Sequence, residues 1–197
     1  MSGFIRGASV EIDCSSWSRA RDIPNGPPRL RDDFDGLWGL PSLIGKPLQQ
    51  VLLANSLWKW VFRFLKIARL CEIPFLIENP KSSRLWLTPQ AAAIRGWPQA
   101  SFVVADFCQY GTDYKKPTGL LCYRLPRVAA AAKTCSPVQG RCSRTGCRHR
   151  VLQGKDANGR FLTKAAEVYP TKFANVIAEA LVFSMPQPIP PTLRRTP

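Results

Sequence analysis

A chain of 197 residues, 45% of them hydrophobic, carries enough apolar surface for one domain with its own core. A net charge of +15 points to a polyanionic partner, most simply nucleic acid, and seven cysteines, an odd number, do not close into a disulfide scaffold. The N-terminal residues lack the apolar centre of a signal peptide, and the longest apolar stretch, 51–71, is broken by Asn55, Lys59, Arg63 and Lys66 on one helical stripe, so a membrane-spanning segment is excluded. The expectation is a reduced, intracellular protein of the nucleus or cytoplasm.

In chain order, residues 8–14 alternate weakly and read as a strand. A long Pro/Gly-rich loop from Cys14 to about residue 47 follows, of the kind that is functional or poorly ordered. A helix over 48–71 leads into a buried strand over 73–79, and this β-helix-β run predicts a parallel crossover. Pro80 stops that strand just after Glu78 and Asn79, and open α/β sheets place their ligands at such carboxyl ends. A strand-end Glu that merely caps the following turn is the alternative.

A short helix near 89–95, a strand over 101–107 and another over 119–124 come next. From Lys115 to Lys164 there are twelve Lys/Arg against one acid, Asp156. Like charges so concentrated read as a phosphate-binding surface better than as a plain solvated one. The expected division is a core over 1–125, a basic, cysteine-containing subregion with a closing helix (about 171–183) over 126–184, and a disordered Pro-rich tail over 185–197. The overall expectation is α/β.

Three strand-end clusters occur in order: Cys14-Ser-Ser-Trp-Ser18, Glu78-Asn79-Pro80, and Gln109-Tyr-Gly111 with Lys115 and Lys116. On these residues the chain resembles the cytosine-5 DNA methyltransferases over roughly residues 8–125. The resemblance implies a partial Rossmann-like methyltransferase sheet with a basic, loop-rich C-terminal subregion. It implies Cys14 as the nucleophile that adds to C6 of a flipped-out cytosine, and Glu78 with Asn79 as the group that holds the base edge. Lys115 and Lys116 become cationic support, and Arg19 and Arg21 either hold Cys14 as thiolate or contact phosphate. Arg141, Arg144, Arg148 and Arg150 fall in the region that meets DNA in that family.

The chain departs from the family in two ways. Asp13 stands before the cysteine where the family has proline, and its charge opposes thiol ionisation. No Gly-rich strand-to-helix turn for S-adenosylmethionine precedes Cys14 or appears later, so the expectation is a fragment that lacks the donor loop and by itself is either inactive or dependent on a partner chain that supplies that half. The competing reading is a non-catalytic, basic nucleic-acid-binding protein derived from such an enzyme.

The other cysteines divide. Cys71, Cys108 and Cys122 read as small core residues. Cys135, Cys142, Cys147 and His149, spaced Cys-x6-Cys-x4-Cys-x-His, are a candidate tetrahedral zinc set, the alternative being loose thiols in a mobile loop.

Overall fold

A computed structural model describes residues 5–24 and 26–184. The Pro-rich tail expected over 185–197 lies outside the described residues.

Four strands form one mixed sheet in the order β1-β2-β4-β3: β1 Ala8–Glu11, β2 Phe75–Pro80, β3 Ala100–Asp106 and β4 Pro117–Tyr123. β1 runs parallel to β2, with Glu11 opposite Glu78, and α1 (Gly45–Leu70) makes the crossover between them. β4 inserts antiparallel between β2 and β3. The chain is therefore mixed α/β, as the alternation of apolar runs and helical periods predicts.

Both faces of the sheet are covered. Phe75, Ile77, Leu121 and Tyr123 pack with Trp58, Val61 and Leu65 of α1 and with Ala91 and Ile94 of α2 (Pro89–Arg95). Their alternating neighbours Leu76, Leu120 and Cys122 pack with Val128 of α3 (Pro126–Ala131) and Phe173, Ile177 and Ala180 of α4 (Thr171–Ser184). Because β2 is buried on both sides, its sequence reads as an unbroken apolar run that ends in Glu78 and Asn79. At Gly119, opposite Asn79 and Val104, a Cβ would lie 2.8 Å from Phe102 Cζ, so the close approach of that ring needs glycine.

Three details differ from the sequence reading. The first strand stops at Glu11, because the Asp13 carboxylate folds back to accept hydrogen bonds from Ser15 N and Ser15 Oγ and turns the chain. The loop after Cys14 is not loose. It contains two short 3-10 turns, Arg19–Asp22 and Asp35–Trp38, and is pinned by two buried arginines described below. On α1, Lys59, Arg63 and Lys66 are exposed as expected, but Asn55 is buried. It accepts from Arg31 and donates to Trp38 O, so its polarity serves the loop and not solvent. No helix among the described residues is long and apolar enough to cross a membrane.

Candidate functional site

The carboxyl ends of β1 and β2 lie side by side, and the Cys14 loop leaves from one of them. Asn79 donates its side-chain amide to Ile12 O at 2.8 Å, tying the end of β2 to the chain just before Cys14. The Cys14 carbonyl accepts from Trp17 N and Ser18 N, and Ser18 then caps the Arg19–Asp22 turn. Arg31, fully buried, donates to Ser16 O, Leu37 O and Asn55 Oδ1 and lies over the Trp17 ring at 3.5 Å. Burial lowers the pKa of this guanidinium to about 10, with nearby Arg84 adding to the effect. Arg84, also buried, pairs with Asp22 at 2.7 Å and Asp33 at 2.9 Å. The sequence offered no local sign of either arginine's burial, since the partners of each come from distant segments.

Within this frame, the half-buried Cys14 thiol lies in the electrostatic reach of Lys116, Asp13 and Glu78. Burial is the largest influence and pushes the thiol up; Lys116 pulls it down, and Asp13 and Glu78 push it up again. The net direction is upward, in the sense anticipated from Asp13. Glu78 is 8% exposed, and burial pushes its carboxyl up as well, while Lys116 and a hydrogen bond from Tyr169 pull it back. Tyr169 OH donates to Glu78 Oε2 at 3.0 Å. Among the described residues, Glu78 Oε1 and Asn79 Oδ1 are buried with no hydrogen-bond partner. Glu78 Oε1 is thus an unmatched acceptor within reach of the Cys14 thiol and the Lys116 ammonium, a place that suits a donor, whereas Asn79, one residue on, belongs to the opposite face of β2. Tyr169, in a Tyr-Pro step before α4, gave no sequence signal for this role.

The cationic residues expected at the site are spread out. Lys116 does face Cys14 and Glu78; its Nζ also donates to Ala166 O and sits over the Phe107 ring. Lys115 instead bonds Cys135 O and pairs with Asp106. Arg19 is engaged with Asp33 and Ser82 O, and Arg21 with Ser15 O and Pro28 O. These bonds hold both guanidiniums against the loop that follows Cys14. Arg144 donates to Cys108 O and Thr112 O, and Arg150 forks onto the Asp113 carboxylate. Arg141 and Arg148 pair through a β-bridge and are exposed.

A second cluster lies at the other end of the β3–β4 connection. Cys108, Cys135, Cys142 and His149 bring one ligand atom each within 4.8 Å of one another, a set that can hold a metal ion. This corrects the expected set in one member. Cys147 is exposed, and its place is taken by Cys108 from the 3-10 turn Phe107–Tyr110 after β3. Cys108 was read as core, and nothing near it in sequence marks it as a ligand. Cys122 is a core residue, its thiol pushed up to about 12 by burial. Cys71 is not core: it caps α1 and is exposed.

No protein-family model matches the chain, and neither the curated proteins nor the solved structures contain a match to it.

Proposed function

We propose that this chain is a DNA cytosine-5 methyltransferase-like protein that carries the base-handling part of the site. The observation that supports this most is the unmatched Glu78 Oε1, buried beside Cys14 and Lys116 at adjacent strand ends. The cytosine edge presents a 4-amino donor and, once protonated, an N3 donor, which would satisfy such an acceptor. In this reading the Cys14 thiolate forms a bond to C6 of an extrahelical cytosine, and the displaced electron pair moves into the ring as N3 takes a proton from Glu78. A carboxyl pushed up by burial holds that proton more readily than an ordinary one. Lys116 offsets the negative charge shared by Glu78 and the thiolate. The fold would then be part of a Rossmann-like methyltransferase sheet.

S-adenosylmethionine does not fit the residues described. No Gly-rich strand-to-helix turn accompanies any of the four strands, and β1 pairs only with β2 among them. In this reading a donor site would have to come from a partner chain or segment that adds to the sheet beside β1.

A second reading has its own support. Burial, Asp13 and Glu78 all push the Cys14 thiol away from the thiolate it needs, which favours a non-catalytic, basic nucleic-acid-binding protein of the same descent. DNA containing the electron-poor base 5-azacytosine separates the two. The enzyme reading expects a covalent Cys14–DNA adduct by intact mass, increasing with pH and lost in Cys14→Ala. Salt-sensitive DNA binding without any adduct at alkaline pH supports the binding protein instead. In both cases the chain alone should show no S-adenosylmethionine binding by titration calorimetry and no methyl transfer.

A further inference from the structure

Residues 133–161 hold the largest stretch of chain after α3 with neither helix nor strand, only the isolated bridges Val138–Arg141, Arg141–Arg148 and Lys155–Phe161. Such a segment buries little of its own and needs an external tie. At its base, Cys108, Cys135 and Cys142 form a separate buried cluster without a single aliphatic side chain. They are free thiols: Cys135 Sγ and Cys142 Sγ lie 3.9 Å apart, far beyond the S–S bond length of about 2.0 Å. Three thiols gathered away from water with no apolar filler have no reason in packing alone.

The distances supply one. Cys135 Sγ is 3.9 Å from Cys142 Sγ and 3.7 Å from His149 Nε2. A tetrahedral zinc ion with Zn–S of about 2.3 Å and Zn–N of about 2.0–2.1 Å sets its ligands about 3.5–3.8 Å apart. The surroundings suit coordinated thiolates. Gln109 Nε2 approaches Cys108 Sγ at 3.7 Å and Cys142 Sγ at 4.0 Å, and Ser143 Oγ approaches Cys135 Sγ at 3.5 Å. Cys135 is positioned by its own N–H, which donates to Asp106 Oδ2 at 2.6 Å. Donors around the sulfurs and a fixed backbone are what orient ligands on a metal.

We propose that Cys108, Cys135, Cys142 and His149 bind one zinc ion, which clasps the basic segment 133–150 to the turn after β3. Four protein ligands complete the coordination, so the ion is structural and leaves no open position for catalysis. The clasp has reach beyond its own ligands. Lys115 bonds Cys135 O, and Arg144 bonds Cys108 O, so the ion steadies both the Lys115–Lys116 turn and the basic surface. This inference is independent of the methyltransferase reading and stands if that reading fails.

The test begins with the full chain, purified reduced and with zinc, and measures metal by inductively coupled plasma mass spectrometry. One zinc per chain is expected. Cys108→Ser, Cys135→Ser, Cys142→Ser and His149→Asn should each lose it, while Cys147→Ser and Cys71→Ser keep it. Because a ligand variant can fail to fold, the folded wild-type chain is also loaded with cobalt(II). The expected spectrum shows thiolate charge transfer and the intense d–d bands of a tetrahedral site with three sulfur ligands and one nitrogen. Chelation should open the 133–161 segment to protease while the sheet stays protected. Folded wild-type protein without stoichiometric zinc and without a tetrahedral cobalt spectrum overturns the proposal. So does loss of zinc in Cys147→Ser with retention in Cys108→Ser.

Discussion

Tyr169, on the approach to α4, donates its hydroxyl to Glu78 Oε2 at the end of β2, 3.0 Å away. The bond joins the helix that covers one face of the sheet to the carboxylate at its carboxyl edge. It also makes the stability of the fold depend on the ionisation of one side chain.

Burial raises the Glu78 carboxyl above the ordinary value of 4.5, against the pull of Lys116 and Tyr169. A group whose folded value is raised contributes its full stability below the unfolded value, and that contribution is lost as pH rises through the folded one. Stability should therefore fall from acid toward neutral pH through this group, and Glu78→Gln should flatten that part of the profile. Tyr169→Phe removes a bond that favours the charged form and should cost about 1–3 kcal/mol at neutral pH, less in acid. Urea midpoints across the pH range check both.

Arg31 should be the most sensitive position of the Cys14 loop. Arg31→Ala leaves Ser16 O, Leu37 O and Asn55 Oδ1 buried without their donor, for a loss of about 3–5 kcal/mol. Arg31→Lys keeps the charge but not the planar fork over Trp17, and should recover less than half of that loss. Guanidinium denaturation of the two variants decides whether the fork or the charge matters.

Gly119→Ala should cost about 1–3 kcal/mol, since its Cβ meets the Phe102 ring, which is itself wedged edge-on against Trp86. In Phe102→Leu the same substitution should cost less. A double-mutant cycle with additive losses would show that the ring is not the obstacle.

DNA binding should weaken steeply with salt. Arg141→Glu and Arg148→Glu, at exposed positions, should lower affinity across sequences and reduce the slope of the salt dependence by about one for each phosphate contact removed. Arg150→Glu should act mostly by breaking its fork on Asp113. Fluorescence anisotropy over a salt series reads this, and absent binding at low ionic strength would remove the basic segment from the nucleic-acid reading.

The elements that sequence makes legible are those with local signatures. α1, α2 and α4 lie close to their periodic stretches, and β2 follows its apolar run into Glu78. The insertion of β4 between β2 and β3 leaves no such trace, because strand order is decided by which faces meet and not by the composition of one strand. At the sites the pattern is the same. Asn79 and Glu78 stand out at a strand end, whereas Tyr169, Arg31, Arg84 and Cys108 act through partners far along the chain. The Cys147-for-Cys108 exchange shows the limit most plainly: spacing favours the neighbour, while the cluster that forms draws on a cysteine 27 residues before Cys135.

The parallel pairing of β1 with β2 also bears on how the molecule assembles. β3 and β4 adjoin through a short connection and pair antiparallel, so they need little loop closure. The contact of β1 with β2 must wait for the whole of α1 to bridge them, and pairings between distant segments form slowly. Contacts made after the folding barrier govern unfolding rates more than folding rates. Stopped-flow kinetics of the Arg31 variants should accordingly show faster unfolding with nearly unchanged refolding. On that order of events Cys14 would reach the neighbourhood of Glu78 only as β1 docks, and its thiol would stay open to oxidants in the solution until then.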